Sequence, residues 1–258
     1  MQNTLEVALV QTDLVWENPE ANRNLLTKKI AQLPAKVDIV VLPEMFTTGF
    51  TMQAKAFAEL MTGKTVLWML QLAQTNQLAI TGSIIIEENK KYYNRLLFVE
   101  PSGKITFYNK RHAFTLVGED EVYTSGKKKV IINYKGWKIC PLICYDLRFP
   151  VWSRNVEHYD LLIYVANWPK PRVTAWTTLL KARAIENMSY CIGVNRIGVD
   201  GVNCTYTGHS AAYNVLGDAI TNMPPSTEQC VIVTLNKKHI TAYRNTFNFL
   251  NDKDTFTI

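Results

Sequence analysis

Trp137-Lys138-Ile139-Cys140-Pro141-Leu142-Ile143-Cys144-Tyr145-Asp146-Leu147-Arg148-Phe149-Pro150 is an apolar run that stops at a cysteine and turns polar within two residues. It reads as a strand ending at Cys144, followed by a short helix whose start Asp146 can cap. Pro141 has no N–H for a sheet ladder, so it implies an edge or a bulge in that strand. Upstream, Lys135-Gly136 is the turn from a strand over 130–134. Downstream, 160–167 is another buried strand, 174–188 a long helix, and 191–196, 211–215 and 231–235 are further strands.

Further out, the first third of the chain alternates strand and helix. Residues 5–11 form a strand. Residues 17–32 form a helix opened by Asn18-Pro19, with Leu25, Leu26 and Ile30 on one side. A continuous apolar run over 37–42 suits a strand covered on both faces. The helix over 65–76 carries a stripe of Val66, Leu67, Leu70 and Ala73. Strands over 79–87, 91–100 and 104–110 follow, with Pro101-Ser102-Gly103 as a hairpin turn. Helices therefore bracket a strand-rich middle. So many strands, both alternating and continuous, predict an α/β fold with two mixed sheets packed together under outer helices.

Composition narrows the class. Of 258 residues, 47 % are hydrophobic and 19 % charged, which excludes a disordered chain and suits one large domain over 1–258. The five cysteines are odd in number and not spaced as a disulfide framework, which points to a reducing, cytoplasmic setting. The first residues lack the basic start and apolar core of a signal peptide, and apolar runs such as Leu161–Ala166 are too short to span a bilayer, so no membrane role is expected. The net charge of +6 is scattered, and Glu119, Asp120 and Glu121 stand just before the densest run, Lys127-Lys128-Lys129. No nucleic-acid partner is expected.

Three strand ends carry candidate chemistry. A cysteine on a strand-to-helix turn sits beside free N–H groups and the positive end of a helix dipole, both of which favour the thiolate of Cys144. The N–H of Tyr145 would face a developing oxyanion. Glu44 follows the buried run at 37–42, at the sheet edge where α/β folds place their sites, although a solvated loop carboxylate also fits. Lys110 ends the strand over 104–110, where a lysine is often plain surface charge. Cys140, Cys191, Cys204 and Cys230 read as structural thiols. Cys140 and Cys144 would lie about 13 Å apart along a strand with no histidine cluster nearby, so they are not a metal pair.

Together, Leu42-Pro43-Glu44, Tyr108-Asn109-Lys110-Arg111-His112 and Ile143-Cys144-Tyr145-Asp146-Leu147-Arg148-Phe149-Pro150 resemble the nitrilase, or carbon–nitrogen hydrolase, superfamily, whose members carry Glu, Lys and Cys in that order. Glu119 ahead of Tyr123-Thr124-Ser125-Gly126 matches a family segment with an auxiliary glutamate, and Ala182-Arg183-Ala184-Ile185-Glu186-Asn187 matches another family stretch. Ala113, where leucine is common, and Pro141 are departures that remove no reacting group. Pro43-Glu44-Met45-Phe46-Thr47-Thr48-Gly49-Phe50, Arg148–Asn155 (residues 148–155) and Tyr164-Val165-Ala166-Asn167-Trp168-Pro169 look closest to the bacterial ω-amidase branch.

The resemblance implies a four-layer α-β-β-α sandwich, pairing through the sheets into a homodimer or larger homo-oligomer, and neither metal nor organic cofactor. It implies amide hydrolysis through a thioester: Cys144 as nucleophile, Glu44 moving protons, Lys110 with the Tyr145 N–H on the oxyanion, and Glu119 orienting Lys110 or the substrate. The ω-amidase branch implies small dicarboxylic acid monoamides, 2-oxoglutaramate and 2-oxosuccinamate, whose free carboxylate needs a cation. Arg148 offers a bidentate fork for it or is a structural arginine, and Trp168 lines the pocket or belongs to the core. The same chemistry serves N-carbamoyl amine hydrolases, aliphatic amidases and nitrilases, and a non-catalytic oligomeric binding protein on this scaffold is the remaining alternative.

Overall fold

A computed structural model describes residues 2–257. In chain order the elements are β1 (Thr4–Gln11), α1 (Pro19–Ala31), β2 (Ile39–Val41), α2 (Ala54–Phe57), α3 (Lys64–Asn76), β3 (Ala79–Glu88), β4 (Lys91–Val99), β5 (Ile105–Asn109), α4 (Glu119–Val122), β6 (Ile132–Tyr134), β7 (Trp137–Ile143), α5 (Pro150–Ser153), β8 (Leu161–Ala166), α6 (Val173–Asn187), β9 (Tyr190–Asn195), β10 (Ile197–Val199), β11 (Thr205–Thr207), β12 (Ala211–Tyr213), β13 (Ala219–Asn222), β14 (Gln229–Asn236) and α7 (Lys237–Phe247).

Among the described residues, twelve of the fourteen strands form two sheets of six. One has the order β14-β1-β2-β3-β4-β5 and the other β13-β12-β9-β8-β7-β6; β10 and β11 pair by themselves. In each large sheet three neighbouring strands run parallel: β1, β2 and β3 in one, and β7, β8 and β9 in the other. The flanking pairings are antiparallel. Alternation along β1 shows how the layers form. Leu5, Val7 and Leu9 point into the core between the sheets, and Ala8 and Val10 point to the layer under α1 and α3. The second sheet is covered by α6 through Trp176, Leu180 and Ala184. This is the expected four-layer α-β-β-α sandwich.

Local chemistry sets the element ends. Asn18 caps α1 by accepting from the Ala21 N–H at 3.0 Å, with Pro19 in the first turn. Its inner face is Leu26 and Ile30, with Leu25 half-buried at the margin. In α3 the buried set is Thr65, Val66, Met69 and Ala73, with Leu70 beside it. Leu67 does not belong to the stripe; it is 57 % exposed, because one residue past Val66 turns about 100° away from the buried face. Pro141 fits its expected edge: β6 pairs with β7 only over Trp137–Ile139, so at Pro141 only β8 flanks β7. Among the described residues no helix is long and apolar enough to cross a membrane.

Candidate active site

The parallel strands β2, β7 and β8 all end at one rim, and the chain after each end delivers a functional group. After β2, the Leu42 N–H is held by the Thr81 carbonyl at 2.8 Å and the Met45 N–H by Ser83 Oγ at 2.9 Å, which fixes Glu44 between them. Lys110 follows β5, with its N–H on the Asn94 carbonyl at 3.0 Å. Cys144 follows β7 at φ +43°, a left-handed conformation that lifts the thiol off the strand line.

Asp146 holds that bend, but not as an outside cap. It lies within the 3₁₀ turn Cys144–Arg148 and reaches back to accept the Ile143 N–H at 3.0 Å. The same carboxylate accepts from the Tyr108 hydroxyl at 2.8 Å and the His112 N–H at 3.0 Å, and lies 2.8 Å from His112 Nδ1. One buried aspartate thus ties the cysteine turn to the end of β5, which carries Lys110.

Glu44, Lys110 and Cys144 line a single cavity of about 540 Å³. Lys110 Nζ lies 3.0 Å from Glu44 Oε1 and 2.9 and 2.8 Å from the two oxygens of Glu119. Glu119 is fully buried behind Lys110 and takes no part in the cavity wall. Its geometry favours orienting Lys110 over touching a substrate. It also accepts the Phe114 N–H at 2.5 Å. Burial raises its pKa and the Lys110 charge opposes that rise.

Two residues that the strand-end reading overlooked complete the arrangement. Asn94, inside β4, donates from Nδ2 to Glu44 Oε1 at 2.8 Å and to Glu119 Oε1 at 3.4 Å. Asn167, directly after β8, donates its backbone N–H to Glu44 Oε2 at 2.8 Å and its side chain to the Glu44 carbonyl at 2.6 Å. Asn167 had a detectable signal, a polar residue ending a buried strand. Asn94 had none, because it lies inside β4 and not at a strand end.

The charges correct one expectation. Burial alone would push the Lys110 ammonium down; Glu119 and Glu44 more than offset this and hold it above its usual value. Burial pushes the Cys144 thiol well up, Glu44 adds to the rise, and Lys110 only partly opposes it. The expected resting thiolate is therefore not favoured: it would be a third anion facing one cation.

A carbon-nitrogen hydrolase family model matches residues 6–245. The chain is 42 % identical to omega-amidase YafV of Escherichia coli (strain B / BL21-DE3) over 254 residues, covering 98 % of each. The chain belongs to the carbon-nitrogen hydrolase family. It is also 31 % identical over 209 residues to 2-oxoglutaramate amidase of Bacillus subtilis, covering 79 % of this chain and 80 % of the relative. The crystal structure of XC1258 from Xanthomonas campestris, a CN-hydrolase superfamily protein with an arsenic adduct in its active site, superposes with a TM-score of 0.97 at 39 % identity, covering 100 % of both chains.

In this carbon-nitrogen hydrolase the remaining expected residues also reach the cavity. Tyr145 lies on its wall as the second residue of the 3₁₀ turn, where the first N–H groups precede the turn's own hydrogen bonds. Arg148 is exposed, with its guanidinium 5.0 Å from the centre of the Trp168 ring. Trp168 combines both readings given to it: it is buried against Trp176 and also forms cavity wall. Its indole N–H donates to the Arg172 carbonyl at 2.7 Å. Cys140 and Cys191 are buried core thiols, and burial pushes Cys140 up to about 12. Cys204, expected to be purely structural, lies on the cavity wall instead, because the loop between β10 and β11 folds over it.

Proposed function

We propose that the chain is an ω-amidase, hydrolysing the terminal amide of small dicarboxylic acid monoamides such as 2-oxoglutaramate and 2-oxosuccinamate to the oxo acid and ammonia through a thioester on Cys144. The observation that carries this reading is the convergence of Glu44, Lys110 and Cys144 on one cavity, with Lys110 Nζ 3.0 Å from Glu44. The full-length likeness to omega-amidase YafV supports the choice within the family.

The chemistry follows from the resting charges. With burial and Glu44 both disfavouring the thiolate at rest, Glu44 takes the Sγ proton as the S–C bond to the amide carbon forms. The oxyanion is held by Lys110 and the Tyr145 N–H, at about 3 kcal/mol per donor. Glu44 returns the proton to the departing nitrogen, releasing ammonia and leaving the thioester. Water then attacks with Glu44 as base, and collapse returns a proton to sulfur. Glu119 and Asn94 are positioning residues: they hold Lys110 and Glu44 at the charge and angle this cycle needs. Arg148, on the cavity wall, takes the free carboxylate of the substrate.

The five free cysteines support a reducing, cytoplasmic setting. A homodimer, as the family resemblance implies, is the expected assembly, which sedimentation measures. The function itself is tested by ammonia release across ω-amides, neutral amides, N-carbamoyl amines and nitriles. The highest kcat/KM is expected for the carboxylate-bearing ω-amides, with no turnover by a folded Cys144→Ala variant. Preference for carbamoyl compounds or nitriles would overturn the substrate assignment, and turnover by Cys144→Ala would overturn the mechanism.

A further inference from the structure

We infer that Arg172 is a second specificity-determining residue, forming with Arg148 a paired guanidinium site for the free carboxylate at the far end of the amide substrate. The inference rests on the ω-amidase reading and extends it to a residue that no sequence motif singled out.

The chain has nine arginines. Five pair with acidic side chains: Arg23 with Glu59, Arg95 with Glu88, Arg183 with Glu186, Arg196 with Asp13 and Arg244 with Asp160. Two more donate to backbone carbonyls, Arg111 to Gly126 and Arg154 to Glu186. Only Arg148 and Arg172 have neither kind of partner among the described residues, and both line the cavity that holds Cys144. Two unneutralised guanidinium groups in one partly enclosed site call for an anion.

Their setting points to a planar one. Arg172 ends the 3₁₀ turn Lys170–Arg172 after β8, and its guanidinium carbon lies 5.1 Å from the centre of the Phe114 ring. Arg148 sits in the same way on Trp168 at 5.0 Å. Stacking on an aromatic ring occupies a face of the guanidinium and leaves the in-plane N–H edge free, the edge that matches a carboxylate. The Trp168 indole, which supports Arg148, also donates to the Arg172 carbonyl at 2.7 Å, so the two arginines share one anchor.

The acidic side chains on the same wall are otherwise engaged. Asp200 accepts the Val202 and Cys204 N–H groups on one oxygen and the Tyr206 hydroxyl on the other. Glu17 accepts the Thr51 hydroxyl. At the reacting end, Glu44 and Glu119 flank Lys110 and disfavour a second substrate anion there. On this inference the amide of the substrate lies at Cys144 and its carboxylate between the two arginines, all on one cavity wall.

The test compares Arg172→Gln and Arg148→Gln with the unmodified enzyme on 2-oxoglutaramate and on pentanamide, a neutral amide of the same length. Each substitution should lower the ratio of kcat/KM for 2-oxoglutaramate to that for pentanamide about 10- to 100-fold, mainly through KM. A second readout needs no turnover: pentanoate, with one carboxylate, should slow iodoacetamide alkylation of Cys144, and Arg172→Gln should raise the pentanoate concentration required about tenfold or more. Equal losses on both amides, or unchanged pentanoate protection in Arg172→Gln, would overturn the inference. If the unmodified enzyme ignored every carboxylate-bearing amide, the ω-amidase reading would fail instead, and pentanoate protection would still decide whether Arg172 binds carboxylate.

Discussion

Replacing Glu44 with Gln keeps the side-chain size and removes one negative charge beside Cys144. Burial raises the thiol and the Glu44 charge raises it further, so losing that charge must lower the Cys144 pKa. Glu44→Gln should therefore hold more thiolate at a given pH than the unmodified enzyme, as read from thiolate ultraviolet absorbance across a pH titration. Amide hydrolysis should nevertheless fall by about 10²- to 10⁴-fold, because no group remains to move the proton. A variant with unchanged thiol titration would contradict the electrostatic account. Glu44, Lys110 and Cys144 were legible in the sequence through three segments that resemble the carbon–nitrogen hydrolase family in chain order; their strand-end positions alone left Glu44 and Lys110 open to a plain surface reading. The protonation state of Cys144 was not legible. It depends on how many charges three distant segments bring to one place, and the turn at Cys144, read alone, argues for the opposite sign.

At the scale of elements, the segment Tyr123-Thr124-Ser125-Gly126 gains a physical reason. The Gly126 N–H donates to the Lys110 carbonyl at 2.7 Å, and a Cβ there would lie 2.1 Å from the carbonyl oxygen of Asn109. Any larger residue must push the end of β5 away just where it presents Lys110. Gly126→Ala should cost about 1–3 kcal/mol in denaturant unfolding and lower kcat by misplacing the ammonium. Full retention of stability would show that β5 yields easily at that point. The main strands and the three long helices up to α6 follow from apolar periodicity. The helix α7 does not, because Ile240 is its one fully buried residue and no stripe precedes it. Its start is marked only by Asn236, whose side chain accepts the Lys238 N–H at 2.9 Å. The short β10, β11 and β13 are also too brief for alternation to register.

For the molecule as a whole, the site is a seam. Glu44 and Lys110 come from the first six-stranded sheet, and Cys144 and Asn167 from the second. Packing between the sheets therefore sets the geometry of the candidate site as well as stability. Phe98 on β4 meets Tyr134 on β6 across that interface, with ring centres 5.4 Å apart and nearly perpendicular. Phe98→Ala should cost about 3–5 kcal/mol in equilibrium unfolding, and a loss much below that would place the interface elsewhere. The layered architecture was readable from strand number and the flanking helices, whereas strand order was not, since each sheet joins parallel and antiparallel neighbours by crossovers that local pattern does not encode. The claim on which the whole account depends is that this seam builds a covalent intermediate on one sulfur. It is tested most directly by rapidly quenching the enzyme during turnover of 2-oxoglutaramate and mapping the modified peptide by mass spectrometry. The account predicts an acyl adduct on Cys144; turnover that proceeds with that cysteine unmodified, or with the adduct on another residue, would contradict it.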